Sequence, residues 1–151
     1  MALTQLSTGP EILVLAADFP STTPDALFRY WAEPVLLQQW WPQHAELEPR
    51  EGGVYHLSWP SMDWHLRGRY TSFEPDRRLA FTWRWDHDVP ELGERTVEVV
   101  FESLFTGGTR LLLTHGRYLD MPADQEIRLV HHLAGWQHFL PRLQDVCETS
   151  R

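Results

Sequence analysis

Apolar and polar side chains alternate with a period of two through the middle of the chain, between residues 43 and 118, as in strands that bury one face. The alternation is clearest where Leu79, Phe81 and Trp83 are separated by smaller or polar residues. Glycine pairs at Gly52-Gly53 and Gly107-Gly108 and Pro-bearing connections divide this region into segments. With an earlier apolar run, the pattern predicts seven strands, over residues 11–19, 44–48, 53–59, 63–73, 78–86, 95–104 and 109–118. Successive strands joined by short turns are expected to form a curved antiparallel sheet.

Helical spacing surrounds this strand region on both sides. Pro24 and Asp25 follow three hydroxylated residues, which predicts a helix over about 24–32, and a second short helix is expected between Val35 and Pro42. A long C-terminal helix is predicted from about residue 121 to 148, with Pro141 bending it. Its apolar stripe, expected to face the sheet, is Leu129, Leu133, Trp136, Leu140, Leu143 and Cys147.

Length and charge limit the function classes that need consideration. The 151 residues are predicted to form a single α+β domain over 1–151, with its core at about 11–148 and no separate domain before the first strand. A net charge of −8 disfavours nucleic acid and anionic membranes as partners. The chain has no leader-like or membrane-spanning apolar run, so we expect a cytoplasmic protein.

The sequence lacks the residues that several kinds of catalysis require. All 13 basic side chains are arginines, which excludes a lysine Schiff base, and the single Cys147 cannot form an internal disulfide. His131 and His132 are adjacent on the predicted helix and cannot chelate one metal together. We therefore expect no metal, no cofactor and no identifiable catalytic residue.

Aromatic residues are the most distinctive feature of the composition, with eight tryptophans in 151 residues. Period-two aromatics on a sheet are most simply read as core, yet tryptophan also suits the wall of a ligand cleft because its N–H needs a partner. His115 shares the inward parity of Leu111 and Leu113 and could hydrogen-bond a ligand or simply be a satisfied strand-end residue. The candidate ligand-binding residues are Trp59, Tyr70, Phe81, Trp83, Trp85, His115 and Trp136.

Short sequence motifs resemble one known family across about residues 11–146. The motifs are Ala26-Leu27-Phe28 with Trp31, Trp40-Trp41, Arg50-Glu51-Gly52-Gly53-Val54-Tyr55, Gly68, Glu74-Pro75-Asp76-Arg77-Arg78-Leu79, Phe81-Thr82-Trp83, Gly107-Gly108-Thr109-Arg110-Leu111, Leu113-Thr114-His115, and Gly135-Trp136 with Leu140 and Leu143. Their order is similar to that of the family named for the activator of the 90-kDa heat-shock protein's ATPase, in the START-like (SRPBCC, helix-grip) superfamily. The resemblance implies a cavity between sheet and long helix, a homodimer, and a link to the stress response through the family's namesake, but no catalytic residue set.

Three functions follow from these expectations. The first is binding of a small hydrophobic or aromatic molecule in the cavity, favoured by the aromatic surplus. The second, by fold analogy, is a cyclase-like or hydrolase-like activity in the same cavity. The third is a chaperone-assisting interaction module. Trp40-Trp41 beside Pro42 would form an adhesive surface for a dimer if these rings were not covered.

Overall fold

A computed structural model describes residues 3–88 and 94–149. The predicted connection at 88–93 lies mostly outside this range. The strands are β1 (Leu3–Leu6), β2 (Ile12–Phe19), β3 (His44–Leu47), β4 (Val54–Trp59), β5 (Trp64–Glu74), β6 (Arg78–Trp85), β7 (Arg95–Ser103) and β8 (Thr109–Gly116). The helices are α1 (Pro24–Ala32), α2 (Pro34–Leu37), α3 (Pro122–Glu126) and α4 (Ala134–Thr149), with a 3-10 turn at Pro60–Met62 and a π-helical segment at Ile127–Leu133.

One antiparallel sheet contains all the described strands, in the order β1-β2-β8-β7-β6-β5-β4-β3. The predicted α+β class is confirmed, but the sheet has eight strands where the sequence predicted seven. The additional strand is β1, which pairs along β2 from Leu3 opposite Ala17 to Leu6 opposite Val14. Most of β1 is exposed, so backbone pairing rather than an apolar face holds it on the sheet. Such a strand leaves no alternating pattern in the sequence.

The two short helices after β2 form as predicted, and the chain that follows them turns inward. Trp40 is fully buried and Trp41 is 6% exposed, so the expectation of an adhesive Trp40-Trp41 surface is wrong. The Trp40 indole N–H donates to the backbone carbonyl of Tyr30 at 3.0 Å, which satisfies its polar atom inside the core. Both rings pack against Trp31 of α1.

The C-terminal helical stretch runs over the sheet in three parts: α3, the π segment and α4. Trp136, Leu140 and Leu143 are buried as the predicted stripe requires. Leu129 is 41% exposed, so its predicted inward position is wrong. The reason is the π segment, whose i→i+5 hydrogen bonds place more residues in each turn than the 3.6 assumed from the sequence. Pro141 lies within α4 without ending it, and the predicted bend there stays a prediction.

Candidate ligand-binding site

A cleft of about 620 Å³ lies between one end of the sheet and the junction of the π segment with α4. This volume is in the range of pockets that take a drug-sized molecule. The apolar part of its helical wall consists of Ile127, Val130, Gly135, Trp136 and Phe139. The opposite wall is formed by β4, β5, β6, the 3-10 turn and the segment after α2.

Antiparallel register brings the sheet residues of this wall to one end. Trp59 closes β4 and stands opposite Trp64, which opens β5. Leu66 of β5 pairs with Trp85, so the end of β6 lies at the same end of the sheet. Because neighbouring strands run in opposite directions, strand ends and strand starts meet there. Residues far apart in the sequence thus form one wall.

Six of the eight tryptophans line this cleft: Trp41, Trp59, Trp64, Trp83, Trp85 and Trp136. Their rings contact one another continuously. Trp83 stacks on Trp41 with centroids 5.8 Å apart and an interplanar angle of 20°, and meets Trp85 edge to face at 5.7 Å and 90°. Trp85 in turn lies 5.4 Å from Trp59. This wall is apolar, with Trp64, 45% exposed, at the mouth.

The imidazole of His132 forms the polar inner end of the cleft, and that of His115 stacks behind it. His132 lines the cleft and lies parallel to His115, with centroids 4.2 Å apart and planes inclined by 7°. The Trp136 indole N–H donates to His115 Nδ1 at 3.1 Å. The Tyr118 hydroxyl and His132 Nδ1 share a hydrogen bond of 2.7 Å. Each imidazole therefore has one ring nitrogen held by an aromatic partner.

Both histidines are held in the neutral state. Burial, with the nearby His132 and Arg95, lowers the pKa of His115 well below its usual value. Burial and Arg95 lower the pKa of His132 to about 3. At neutral pH neither ring is an imidazolium. His132 can donate or accept a hydrogen bond in the cleft, but it cannot supply a readily lost proton.

A buried ion pair between Arg95 and Asp124 packs against Tyr118, the aromatic partner of His132. Arg95 Nη2 lies 2.6 Å from Asp124 Oδ1, with the two side chains only 9% and 5% exposed. The Arg95 guanidinium also covers the ring of Tyr118 at 4.7 Å and donates to the carbonyl of Arg117 at 2.7 Å. The hydrogen bonds from Arg95 keep the pKa of Asp124 below its usual value. This pair ties β7 to the start of α3 and fixes Tyr118 between them.

The structure brings together most, but not all, of the residues selected from the sequence. Trp59, Trp83, Trp85 and Trp136 line the cleft. Tyr70 and Phe81 do not: they are 1% and 0% exposed and belong to the packed core further along the strands. The positions of these two residues correct the prediction that they form walls of the cavity.

His115 is fully buried one ring behind the cleft and touches it through His132 and Trp83. Sequence reasoning missed Trp41, Trp64 and His132 as lining residues. His132 lies five positions after Ile127, and both line the cleft. This i→i+5 spacing is that of a π segment, which the 3.6-residue period assumed from the sequence does not indicate.

The mouth of the cleft carries its remaining polar groups, His87, Asp88 and His131. The Asp88 carboxylate accepts a hydrogen bond from the backbone N–H of Trp85 at 2.9 Å. Within residues 3–88 and 94–149, no three side chains of His, Cys, Asp or Glu converge in a way that could hold a metal ion. None of the described helices is both long enough and apolar enough to cross a bilayer.

The sheet order, the C-terminal helix lying over it and the cleft between them define a START-like, helix-grip protein. The match of a family model to residues 21–148 places it more closely. The chain belongs to the family described as activator of Hsp90 ATPase homolog 1-like protein, as the sequence motifs predicted.

Two curated relatives carry this family's name. The activator of 90 kDa heat shock protein ATPase homolog 1 of Mus musculus is 27% identical over 118 residues, which is 78% of this chain and 31% of the relative. The Homo sapiens protein of the same name is 26% identical over the same share of each chain. The chain thus spans about a third of the length of the curated relatives that it matches.

Solved structures with the same fold are more distant in sequence. A protein from Mesorhizobium loti has a TM-score of 0.76 at 20% identity, covering 93% of this chain and 98% of its own. A Rhodobacter sphaeroides protein has a TM-score of 0.76 at 21% identity, covering 99% of this chain and 100% of its own. CalU16 from Micromonospora echinospora has a TM-score of 0.71 at 21% identity, covering 96% of this chain and 81% of its own. These similarities establish the fold.

Proposed function

We propose that this protein binds a small, flat, apolar or aromatic molecule in the cleft between the sheet and the C-terminal helix. The observation that carries the proposal is the wall of six tryptophans around a space of about 620 Å³. Packed interiors leave few voids larger than a water molecule, so an apolar space of this size suits an apolar ligand. Aromatic rings offer a planar ligand both stacked and edge-to-face contacts.

The enzymatic alternative has one specific observation in its favour. His132 is a largely buried imidazole with a strongly perturbed pKa inside the cleft, which is a feature of many active sites. A general acid or base works best, however, when its pKa lies near the working pH. With a pKa of about 3, His132 is a weak base and carries no proton to donate as an imidazolium. The arrangement therefore favours binding, and a cyclase-like or hydrolase-like activity is the second candidate.

The chaperone-assisting alternative and the homodimer remain predictions. Exposed apolar side chains at the mouth, Met62, Trp64 and Val130, could contact a protein surface as well as admit a ligand. Pull-down with the 90-kDa heat-shock protein tests the first, and analytical ultracentrifugation tests the second. A monomer at all concentrations would exclude the homodimer.

Gly135 offers a direct test of the cleft as the binding site. It lines the cleft, and a Cβ built on it meets no atom within 4 Å. Gly135→Leu should therefore fill the cleft without disturbing the core. Ala134→Leu is the matched control, because Ala134 precedes it on the same helix, is exposed and does not line the cleft.

The binding assay follows tryptophan fluorescence while aromatic metabolites and lipids are titrated into the wild-type protein and its variants. A His115→Ala variant is titrated in the same way. Wild type and Ala134→Leu should show the same saturable change with at least one compound. Gly135→Leu should lose it while keeping its circular dichroism spectrum. Equal binding by wild type and Gly135→Leu would place the ligand elsewhere.

A further inference from the structure

We infer, on the basis of the proposed function, that the ligand is an uncharged aromatic molecule whose hydrogen-bond acceptor, such as a carbonyl oxygen, meets the indole N–H of Trp83 in the wall of the cleft. The inference names the chemical class of ligand for the same site. It depends on one buried donor atom of the cleft wall and on the charges around the cleft.

Two neighbouring rings carry buried N–H donors, and one of them, His115, lies behind His132 without lining the cleft. An indole N–H can only donate, so the hydrogen bond from Trp136 makes His115 Nδ1 an acceptor. The proton of the neutral ring is then on Nε2. This nitrogen is buried and has no hydrogen-bond partner among the described residues.

The indole N–H of Trp83 is the donor that a ligand in the cleft can meet. It is also buried and lacks a partner in the described part of the chain. The ring of Trp83 lies 4.5 Å from that of His115 and forms part of the cleft wall. Of these two donors, only that of Trp83 belongs to a residue that lines the cleft.

Buried N–H groups without a partner are uncommon in folded proteins, since each costs the hydration that it loses. Five buried side-chain atoms lack a partner among the described residues, on Trp31, Tyr55, Tyr70, Trp83 and His115. Of these residues only Trp83 lines the cleft, so its N–H is the one that a ligand acceptor can satisfy. An apolar hydrocarbon would leave this donor unsatisfied, whereas a ligand oxygen that reaches it would compensate the cost.

The charges around the cleft disfavour an anionic acceptor. None of the described lining residues is an arginine, whereas Asp88 contributes a carboxylate at the mouth. Arg95, which lies behind the site against Tyr118, is already paired with Asp124. A ligand carboxylate would be transferred into an apolar cleft without a counter-ion, which is costly. A neutral oxygen avoids this cost.

Three naphthalenes with nearly the same shape test the inference: 2-acetylnaphthalene, 2-ethylnaphthalene and 2-naphthoate. Isothermal titration calorimetry should show that the ketone binds about fivefold to tenfold more tightly than the hydrocarbon, as expected for one net hydrogen bond. The carboxylate should bind more weakly than the ketone. Equal binding of ketone and hydrocarbon, or tightest binding of the carboxylate, would overturn the inference and leave the proposed function intact. Absence of binding by all three would contradict both for this class of ring.

Trp83→Phe and Trp59→Phe form a matched pair of variants, since both remove an indole from the cleft wall and only Trp83 carries the unpartnered donor. Trp83→Phe should reduce the preference for the ketone over the hydrocarbon to about twofold or less. Trp59→Phe should weaken both ligands alike and keep their ratio. If Trp83→Phe fails to fold, the wild-type Trp83 indole proton observed by NMR decides: a downfield shift with the ketone alone supports the inference, and the same shift with both ligands overturns it.

Discussion

The imidazole rings of His115 and His132 stack almost parallel, with centroids 4.2 Å apart and planes inclined by 7°. His115 comes from the end of β8 and His132 from the π segment, so this contact joins the sheet to the C-terminal helix. Two imidazolium rings at this distance would repel one another without solvent to screen them. At most one of the two rings can therefore be protonated in this contact, and the lowered pKa values of both keep them neutral at pH 7.

Acid should destabilise the protein through these two rings. The folded-state pKa values of His115 and His132 are lowered, so their contribution to stability is complete above about pH 6.5 and is lost as the pH falls towards the folded values. By pH 4.5 the loss from His132 alone should be on the order of 2–3 kcal/mol. Urea unfolding between pH 7.5 and 4.5 measures this loss of stability. The range stays above the pH at which Asp124 becomes protonated.

The matched control for this titration is on the same helix. His132→Phe should reduce the pH dependence of the unfolding free energy, since it removes one of the two titrating rings, keeps a flat side chain against His115 and leaves the contribution of His115. His138→Phe makes the same substitution at an exposed position that does not line the cleft, and the difference in slope between the two variants isolates the buried ring. Equal slopes in wild type and His132→Phe would show that the ring is not buried in its neutral form.

Breaking the Arg95–Asp124 ion pair should cost more than its net contribution to folding. Asp124→Asn leaves the buried guanidinium without its counter-ion, and a loss of about 3–5 kcal/mol is expected. The double variant Arg95→Met with Asp124→Leu should recover much of this loss, because no buried charge remains. Urea unfolding of the single and double variants measures both values. A single variant as stable as wild type would mean that water reaches the pair.

Gly135→Ala should raise the free energy of unfolding by about 0.5–1 kcal/mol, because alanine restricts the unfolded chain and favours helix at a position with open space around its Cβ. Gly135→Ala should change ligand affinity only in part, whereas Gly135→Leu should abolish binding. Thermal unfolding and the fluorescence titration measure the two effects. A destabilised Gly135→Ala would show that this helical position is more crowded than the structure indicates.

Trp64→Ala should separate binding from folding. Trp64 is 45% exposed at the mouth of the cleft and touches Trp85 edge to face at 5.9 Å. Its removal should change the unfolding free energy by about 1 kcal/mol or less while weakening an aromatic ligand several-fold. Trp40→Ala, which removes a fully buried ring that does not line the cleft, should instead destabilise the fold by about 3–5 kcal/mol.

Strand positions were predictable because a half-buried strand repeats every two residues. Trp83 and Trp85 were selected by this parity, and both line the cleft. Parity alone also selected Phe81, which has the same orientation one step further from the strand end and is covered by core. The pattern identifies which face of the strand is buried. It does not show at which residue the packed core ends and the cleft begins.

The helical half of the site could not be predicted from periodicity. A 3.6-residue period places Leu129 inward, whereas the π segment turns it out to 41% exposure and presents Ile127 and His132 instead. The strand β1 was not predicted for a different reason: its four residues are held mainly by backbone pairing. Both features depend on tertiary contacts that leave no regular pattern in the sequence.

The indole N–H signals in a ¹H–¹⁵N spectrum test the cleft as the binding site most directly. Of the eight tryptophans, six line the cleft, whereas Trp31 and Trp40 are buried behind its wall, do not line it and serve as internal controls. Titration with 2-acetylnaphthalene should shift the signals of Trp59, Trp83 and Trp85 in a saturable way and leave that of Trp40 unchanged. Saturable shifts confined to Trp31 and Trp40 would contradict the assignment of the cleft as the ligand-binding site.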